Sequence, residues 1–456
     1  MSQTKFSFFE PKYHEDYDFK LWNYLEDLYV GSSRWLEITD SGFYPTPRTG
    51  FYLPRHPGEN SQNWISRINA TFYDDLFAKA LRRFIDLIFR SGVAFSGEFP
   101  EFAANYSTLS LEGVGEDAFL AAIALDAMLY GHCFILIDYP VNSATHYADY
   151  LSKNFHPYFV KILPQNLTNW ESHLIDGKRV FTRAEVRNFR KGRIEYCIYE
   201  PGIWTRYEEV EPFDGSTFAI ASQGENPLGI VPIVPVYGGY SQRFAVSLPP
   251  LKSLADKSRT LYQLTSDHYR KVSLCCHPVP VLKDLMRSEE EVLEISPNSF
   301  INLRDPAGSF TWEEPLATSL IQSRTDIKDL RSQISDELAN YLLTPSQRQS
   351  ATASQLLTSP LEASLANFIR SFTLGINDAI AIYGLYLGLT VDYKIHLEYD
   401  VFPNALKDSQ SALAISTLYE AGLISRSAAL ESLNDLGFFY KGFDLKGELL
   451  AKNDTL

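Results

Sequence analysis

Glu116, Asp117, Asp126 and His132 form the grouping in this sequence best suited to chemistry. Asp126 and His132 flank the end of one apolar helical segment, where a carboxylate and an imidazole could share a proton in general acid–base work. Helix geometry offers a simpler account. Glu116 and Asp117 fall in a first turn, where carboxylates favour the positive end of the helix dipole, and His132 falls just past the last turn, at the negative end. Nothing else supports catalysis: G-x-x-x-x-G-K-[ST], H-E-x-x-H, G-x-S-x-G and a glycine-rich dinucleotide turn are all absent. The expectation is a protein that is not an enzyme and carries no cofactor or metal. Cys133, Cys197, Cys275 and Cys276 have no C-x-x-C spacing, so neither zinc nor a disulfide is expected of them.

The elements around these residues read as α+β. Gly115 to Gly131 is an apolar helix running into CFILIDYP, a strand of the kind buried on both faces. Asp18 to Tyr29 and Asp75 to Arg90 have helical periodicity, and the Pro- and Gly-rich run between them, to Gly58, reads as an extended arm or loop. Strands are expected around Tyr158 to Leu163, Arg179 to Val186, Ile194 to Glu200 and Ile203 to Val210, with Asp176-Gly177 and Lys191-Gly192 as hairpin turns. The basic residues gathered there, Lys178, Arg179, Arg183, Arg187, Arg190, Lys191 and Arg193, read more simply as solvated hairpin faces than as a ligand site. Gly229 to Tyr240, broken by Pro232 and Pro235, is an edge strand or a linker.

The second half has a different rhythm. A helix from Lys252 to Ser273 precedes a β-rich insert, His277 to Pro315, with three basic residues against eight acidic ones, among them Glu289, Glu290, Glu291 and Glu294. A helix from Arg324 to Leu343 returns, with Ile327, Leu330, Ile334, Leu338 and Tyr341 on one face. Next comes a polar stretch, Thr344 to Ser359, in which Arg348 is the only charge. Ser359, Pro360 and Glu362 then form an N-cap, first-turn proline and capping-box carboxylate, so the following helix should begin there. Its apolar face, Leu361 to Leu387, runs for roughly 40 Å at ~1.5 Å per residue. A strand at Val391 to Val401 and two short helices, Ser409 to Glu420 and Ser425 to Leu436, complete the chain. Only Arg426 is basic on the last, which argues against a DNA-reading helix.

At 456 residues and 45% hydrophobic, the chain can bury at least one large core. The N-terminal run has acidic residues where a secretory signal would be basic, so synthesis and retention in a cytoplasm are expected. The most apolar window, Ala379 to Val391, falls short of the ~20 residues that span a bilayer. A net charge of −15 argues against a protein that holds DNA by neutralising phosphates, but not against one that DNA slides past.

Several runs together resemble the portal (head-tail connector) proteins of tailed bacteriophages, in a branch catalogued as an uncharacterised phage family. They are YLPRHPGEN, ISRINATFYDDLFAKALRRFIDLIF, VGEDAFLAAIALDAMLYG with FILIDYP, PYFVKILPQNLTNW, GIVPIVPVYGG, PPLKSLADKSRTLYQLTSDHYR, and LEYDVF with YEAGLISRSAALESL. They occur in order along most of the chain. The resemblance implies an elongated portal-type subunit: a wing at 1–250, a stem helix at 251–276, a small β-rich clip at 277–318, a second stem helix at 319–343, a tunnel loop at 344–359, a long wing-crossing helix and strand at 360–402, and a short helical crown at 403–456. It implies a ring, typically a dodecamer, at one capsid vertex of a virion made in the host bacterial cytoplasm. DNA passes through the ring during packaging and ejection.

The implied partners are the terminase large subunit, the major capsid protein, neck or adaptor and tail proteins, and double-stranded DNA passing through non-specifically, with no membrane insertion. Ser346, Gln347, Arg348, Gln349, Ser350, Thr352, Ser354 and Gln355 would face DNA, and Glu289, Glu290, Glu291 and Glu294 would form the clip surface for terminase or adaptor. Twelve copies at −15 each carry about −180, which repels phosphates during passage. The short C-terminal region departs from the pattern and puts an extended crown in doubt. The alternative is a non-ring structural virion or interaction protein sharing the wing-like core.

Overall fold

The structure is a computed structural model that describes residues 8–90, 92–110, 113, 115–140, 155–190, 192–210, 217–275, 279–283, 309–313, 318–339, 351–397 and 409–435. It is mixed α+β. In chain order the first elements are β1 (Phe8–Phe9), α1 (Phe19–Val30), β2 (Leu36–Thr39), β3 (Gly42–Pro45), α2 (Thr49–Tyr52), α3 (Ser61–Ala70), α4 (Leu76–Phe89), β4 (Val93–Ser96), α5 (Pro100–Asn105) and α6 (Glu116–Tyr130). Eight larger strands follow, β5 (His132–Asp138), β6 (Tyr158–Ile162), β7 (Leu167–Ile175), β8 (Lys178–Arg190), β9 (Arg193–Glu200), β10 (Ile203–Val210), β11 (Thr217–Glu225) and β12 (Ile233–Tyr237), and then the short β13 (Ser241–Arg243) and β14 (Val246–Ser247). The second half contributes α7 (Lys252–Cys275), β15 (Val279–Lys283), β16 (Ser309–Glu313), α8 (Thr318–Ala339), α9 (Ala351–Tyr386), β17 (Lys394–Leu397), α10 (Ser409–Glu420) and α11 (Arg426–Asp435).

The main core lies between the helices and a three-stranded sheet of order β12-β5-β6. β5 is its central strand and is buried from His132 to Ile137, as its unbroken apolar run requires. β12 lies at the edge, where Pro235 withholds no ladder donor that a further strand would need. Gly131, at φ +90°, ends α6, and a Cβ there would collide with the Ser247 carbonyl. Only glycine meets both demands.

α9 packs against β5 and β12, with Leu365, Phe368, Phe372, Ile376, Ile380 and Tyr383 buried as their spacing predicts. Phe84 meets Phe368 edge-on and Phe89 meets Phe372 likewise, locking α4 to the long helix. A second core sits under a six-stranded antiparallel sheet, β1-β11-β10-β9-β8-β7. Asp176 and Gly177, both at positive φ, make the β7–β8 turn.

Four expectations need correction. The run up to Gly58 is not an extended arm: it holds the β2–β3 hairpin and α2, anchored by buried Trp35, Tyr52 and Leu53. The sheet contains β7 and β11, whose irregular alternation hid them. Of the strand expected from Val391 to Val401, Lys394–Leu397 pairs with β4, residues 391–393 are not strand, and 398–401 lie outside the described residues. The long helix starts at Ala351 rather than at Pro360, because Ala351, Ala353, Gln355, Leu356 and Leu357 are strong helix formers. Pro360 therefore sits inside the helix, where it removes one backbone donor.

Candidate functional site

The feature that sets this chain apart is an antiparallel arm built from α7, β15, β16 and α8. Lys257 Nζ bonds Glu337 Oε2 at 2.6 Å, and His268 Nδ1 lies 2.8 Å from Ser323 Oγ. Beyond the helices Val279 pairs with Glu313 and Lys283 with Ser309. Across all of these, partners fall nearly symmetrically about position 296 in sequence, so the described helix pair and the described ribbon share about the same midpoint. α8 contributes a narrow seam, Leu320, Ser323, Ile327, Leu330, Ile334 and Glu337, alternating by three and four as in a two-helix coiled coil. The rest of its described surface is exposed.

A buried ionic clamp fixes the arm to the body. Arg67 grips Glu59 with two parallel bonds, Nε to Oε1 at 3.0 Å and Nη2 to Oε2 at 2.8 Å. Its Nη1 donates to Ser266 of α7 at 3.0 Å and its Nη2 to the Pro54 carbonyl at 2.7 Å. Arg270 of α7 closes on the same Glu59 carboxylate, and the His56 amide donates to it at 3.0 Å. Burial alone would raise the Glu59 carboxyl, but the Arg67 hydrogen bonds, the His56 amide and the two guanidinium charges outweigh it and hold the group at about 2. Lower on α7, Gln263 donates to the Tyr52 carbonyl and Tyr24 donates to Asp256.

Residues 250–386 match the family model described as a domain of unknown function (DUF4055). That range takes in the arm and the long helix. No curated protein matches the chain. Among solved structures, a chain from "Virion of native gene transfer agent (GTA) particle" is similar over 83% of this chain and 94% of its own, at 11% identity and a TM-score of 0.46. Chains from "Neck of native GTA particle computed with C12 symmetry" (84% and 95%, 11% identity, TM-score 0.40) and "Neck of empty GTA particle computed with C6 symmetry" (83% and 94%, 10%, 0.44) are similar too.

The carboxylate and imidazole group does not assemble. Asp126 pairs with Lys161 at 2.5 Å, whereas His132 Nδ1 faces the Ser247 backbone at 3.3 Å and its ring packs edge-on against Trp22 and Phe134. Asp117 accepts from the Tyr106 hydroxyl at 2.9 Å. Burial pushes His132 down to about 4, so it is neutral near pH 7 and does not act as a cation at the end of α6. That overturns the dipole account of His132, while Glu116 and Asp117 do occupy the first turn of α6.

Of the residues expected to face DNA, Thr352, Ser354 and Gln355 lie in the opening turns of α9, and Ser346, Gln347, Arg348, Gln349 and Ser350 lie outside the described residues. Glu289, Glu290, Glu291 and Glu294 also lie outside them, between β15 and β16 in sequence. Of the basic hairpin residues, Arg183 is taken up by Glu185 and Glu200, and Lys178 by Asp378 of α9. Among the described residues no helix is long and apolar enough to cross a membrane. Cys133 and Cys197 are buried free thiols. Sequence reading missed the ionic clamp, whose only signal is a charged Glu59 and Arg67 spaced eight apart around a helix start.

Proposed function

We propose that the chain is a portal-type subunit, forming a ring at one vertex of a phage-like capsid through which DNA is packaged and later ejected. The arm carries this reading. A helix pair standing on a rigid body, with a ribbon between its helices in sequence and a long helix across the sheet after it, is the order that a stem, clip and wing-crossing helix require. In this reading the acidic tip, Glu289 to Glu294, is the docking surface for a packaging motor and then for neck or adaptor proteins. The segment from Ser346 to Ser350 and the first turns of α9, with Thr352, Ser354 and Gln355, face DNA. Apart from Arg348, the groups there are neutral hydroxyls and amides, which touch phosphates without holding them, since tight holding comes from clustered Lys and Arg.

Electron microscopy of the purified protein tests the reading: rings with a central hole are expected. A particle that stays monomeric at every concentration and salt sinks it and favours a non-ring virion or interaction protein with the same wing-like core.

A further inference from the structure

The exposed surface of α8 is sorted by charge. At ~100° per residue the seam against α7 leaves two flanks. One carries Gln322, Asp326, Asp329, Gln333 and Asp336; the other carries Arg324, Lys328, Arg331 and Ser335. All are exposed. Between Arg324 and Asp336 no opposite charges stand three or four residues apart, whereas Arg324 and Lys328, Lys328 and Arg331, and Asp326 and Asp329 are like-charged neighbours at that spacing. Such neighbours repel within one helix. A helix solvated on its own gains from the reverse pattern, with signs interleaved.

Among the described residues, little neutralises either flank. Arg331 reaches Asp74 at 3.6 Å while remaining 49% exposed, and Gln322 donates to Asp326 at 2.8 Å. Arg324, Lys328, Asp329 and Asp336 have no ion-pair partner among the described residues. At Arg331 the basic flank borders the body through Asp74, while Arg324, Lys328 and Ser335 stay exposed, and the acidic flank lies on the other side of the seam.

We infer that α8 is the self-association surface of this chain, with the basic flank of one copy seated on the acidic flank of the next. Arg324 to Arg331 spans about 10 Å of helix and Asp326 to Asp336 about 15 Å, at overlapping heights. Copies related by rotation about an axis along the arm therefore bring the two flanks together at one level. The contact is heterologous: each copy uses one flank on each neighbour, so a two-fold dimer cannot satisfy both and the assembly must close as a ring or continue as a filament. The inference rests on the ring reading and assigns it a surface.

The test uses the full chain, with size followed by sedimentation velocity at low and at 0.5 M salt. Variant one carries Arg324→Glu, Lys328→Glu and Arg331→Glu; variant two carries Asp326→Lys, Asp329→Lys and Asp336→Lys. Each alone is expected to associate about tenfold or more weakly than the parent, and salt should weaken the parent's assembly. Mixed, the two variants should co-assemble, and a chain with all six changes should recover self-association. Recovery in the mixture also shows that both variants fold. If the parent assembles and both reversals assemble equally well, or if neither the mixture nor the six-fold variant recovers, this surface is wrong while the ring stands. A parent that never assembles removes the ring reading itself.

Discussion

The Glu59–Arg67 clamp gives the most quantitative expectation. Arg67→Met removes a bidentate bond from a carboxylate whose side chain is fully buried and takes the donor from Ser266. Breaking one partner of a buried pair costs about 3–5 kcal/mol, because the other charge is left without its counterion. Arg270 still reaches Glu59, so the loss should fall near the lower end, about 3 kcal/mol. Amide hydrogen exchange around Ser266 in α7 reads this locally, and the expected rise in exchange is roughly 100-fold, at a factor of ten per ~1.4 kcal/mol.

Glu59→Leu together with Arg67→Met should recover most of that loss, since an apolar pair of similar volume needs no desolvated charge. The same carboxylate sets an acid limit. Its folded value is about 2, below the ~4.3 of an unfolded glutamate, so its contribution is complete above about pH 4.5 and disappears as pH falls toward 2. A rise in exchange below tenfold for Arg67→Met, or a double variant as damaged as the sum of the singles, would refute the reasoning.

Other expectations concern the wing and the long helix. His132 is held near 4 against ~6.5 unfolded, so it binds fewer protons folded than unfolded in that window and stability is lost as pH falls from 6.5 to 4; His132→Leu should flatten the urea-midpoint slope there. Gly131→Val should abolish soluble expression, because positive φ and the collision with the Ser247 carbonyl act together. Pro360→Ala should slow amide exchange between Leu356 and Ser364, restoring a donor to the Leu356 carbonyl and adding about 1–3 kcal/mol of helix stability. Deleting Ser346 to Ser350 should leave particle size unchanged in sedimentation and reduce DNA retention in a packaging assay.

Where the sequence was legible, one physical pattern dominated its segment. The apolar run after Gly131 could only be a strand buried on both faces, and the three-four spacing of Leu365 to Tyr383 could only be one helix face. The start of α9 misled because Ser-Pro-x-Glu satisfies the rules for a first turn at any height on a helix, and only the formers upstream decide. The hairpin near Phe43 was hidden because tertiary bonds hold it: Asn69 of α3 accepts from the Phe43 amide and donates to its carbonyl. The clamp was illegible for the same reason, as its third partner, Arg270, lies far along the chain.

The pairing of the arm's two legs bears on how this chain can vary. Because α7 meets α8 at Ser253, Lys257 and His268, and β15 pairs with β16 from Val279 to Lys283, one residue gained or lost within a single described leg shifts the contacts beyond it. In the ribbon such a shift turns each side chain to the opposite face. In the helices it rotates the seam by ~100°. Length changes within the described helices and strands of the arm must therefore come in matched pairs, one in each leg.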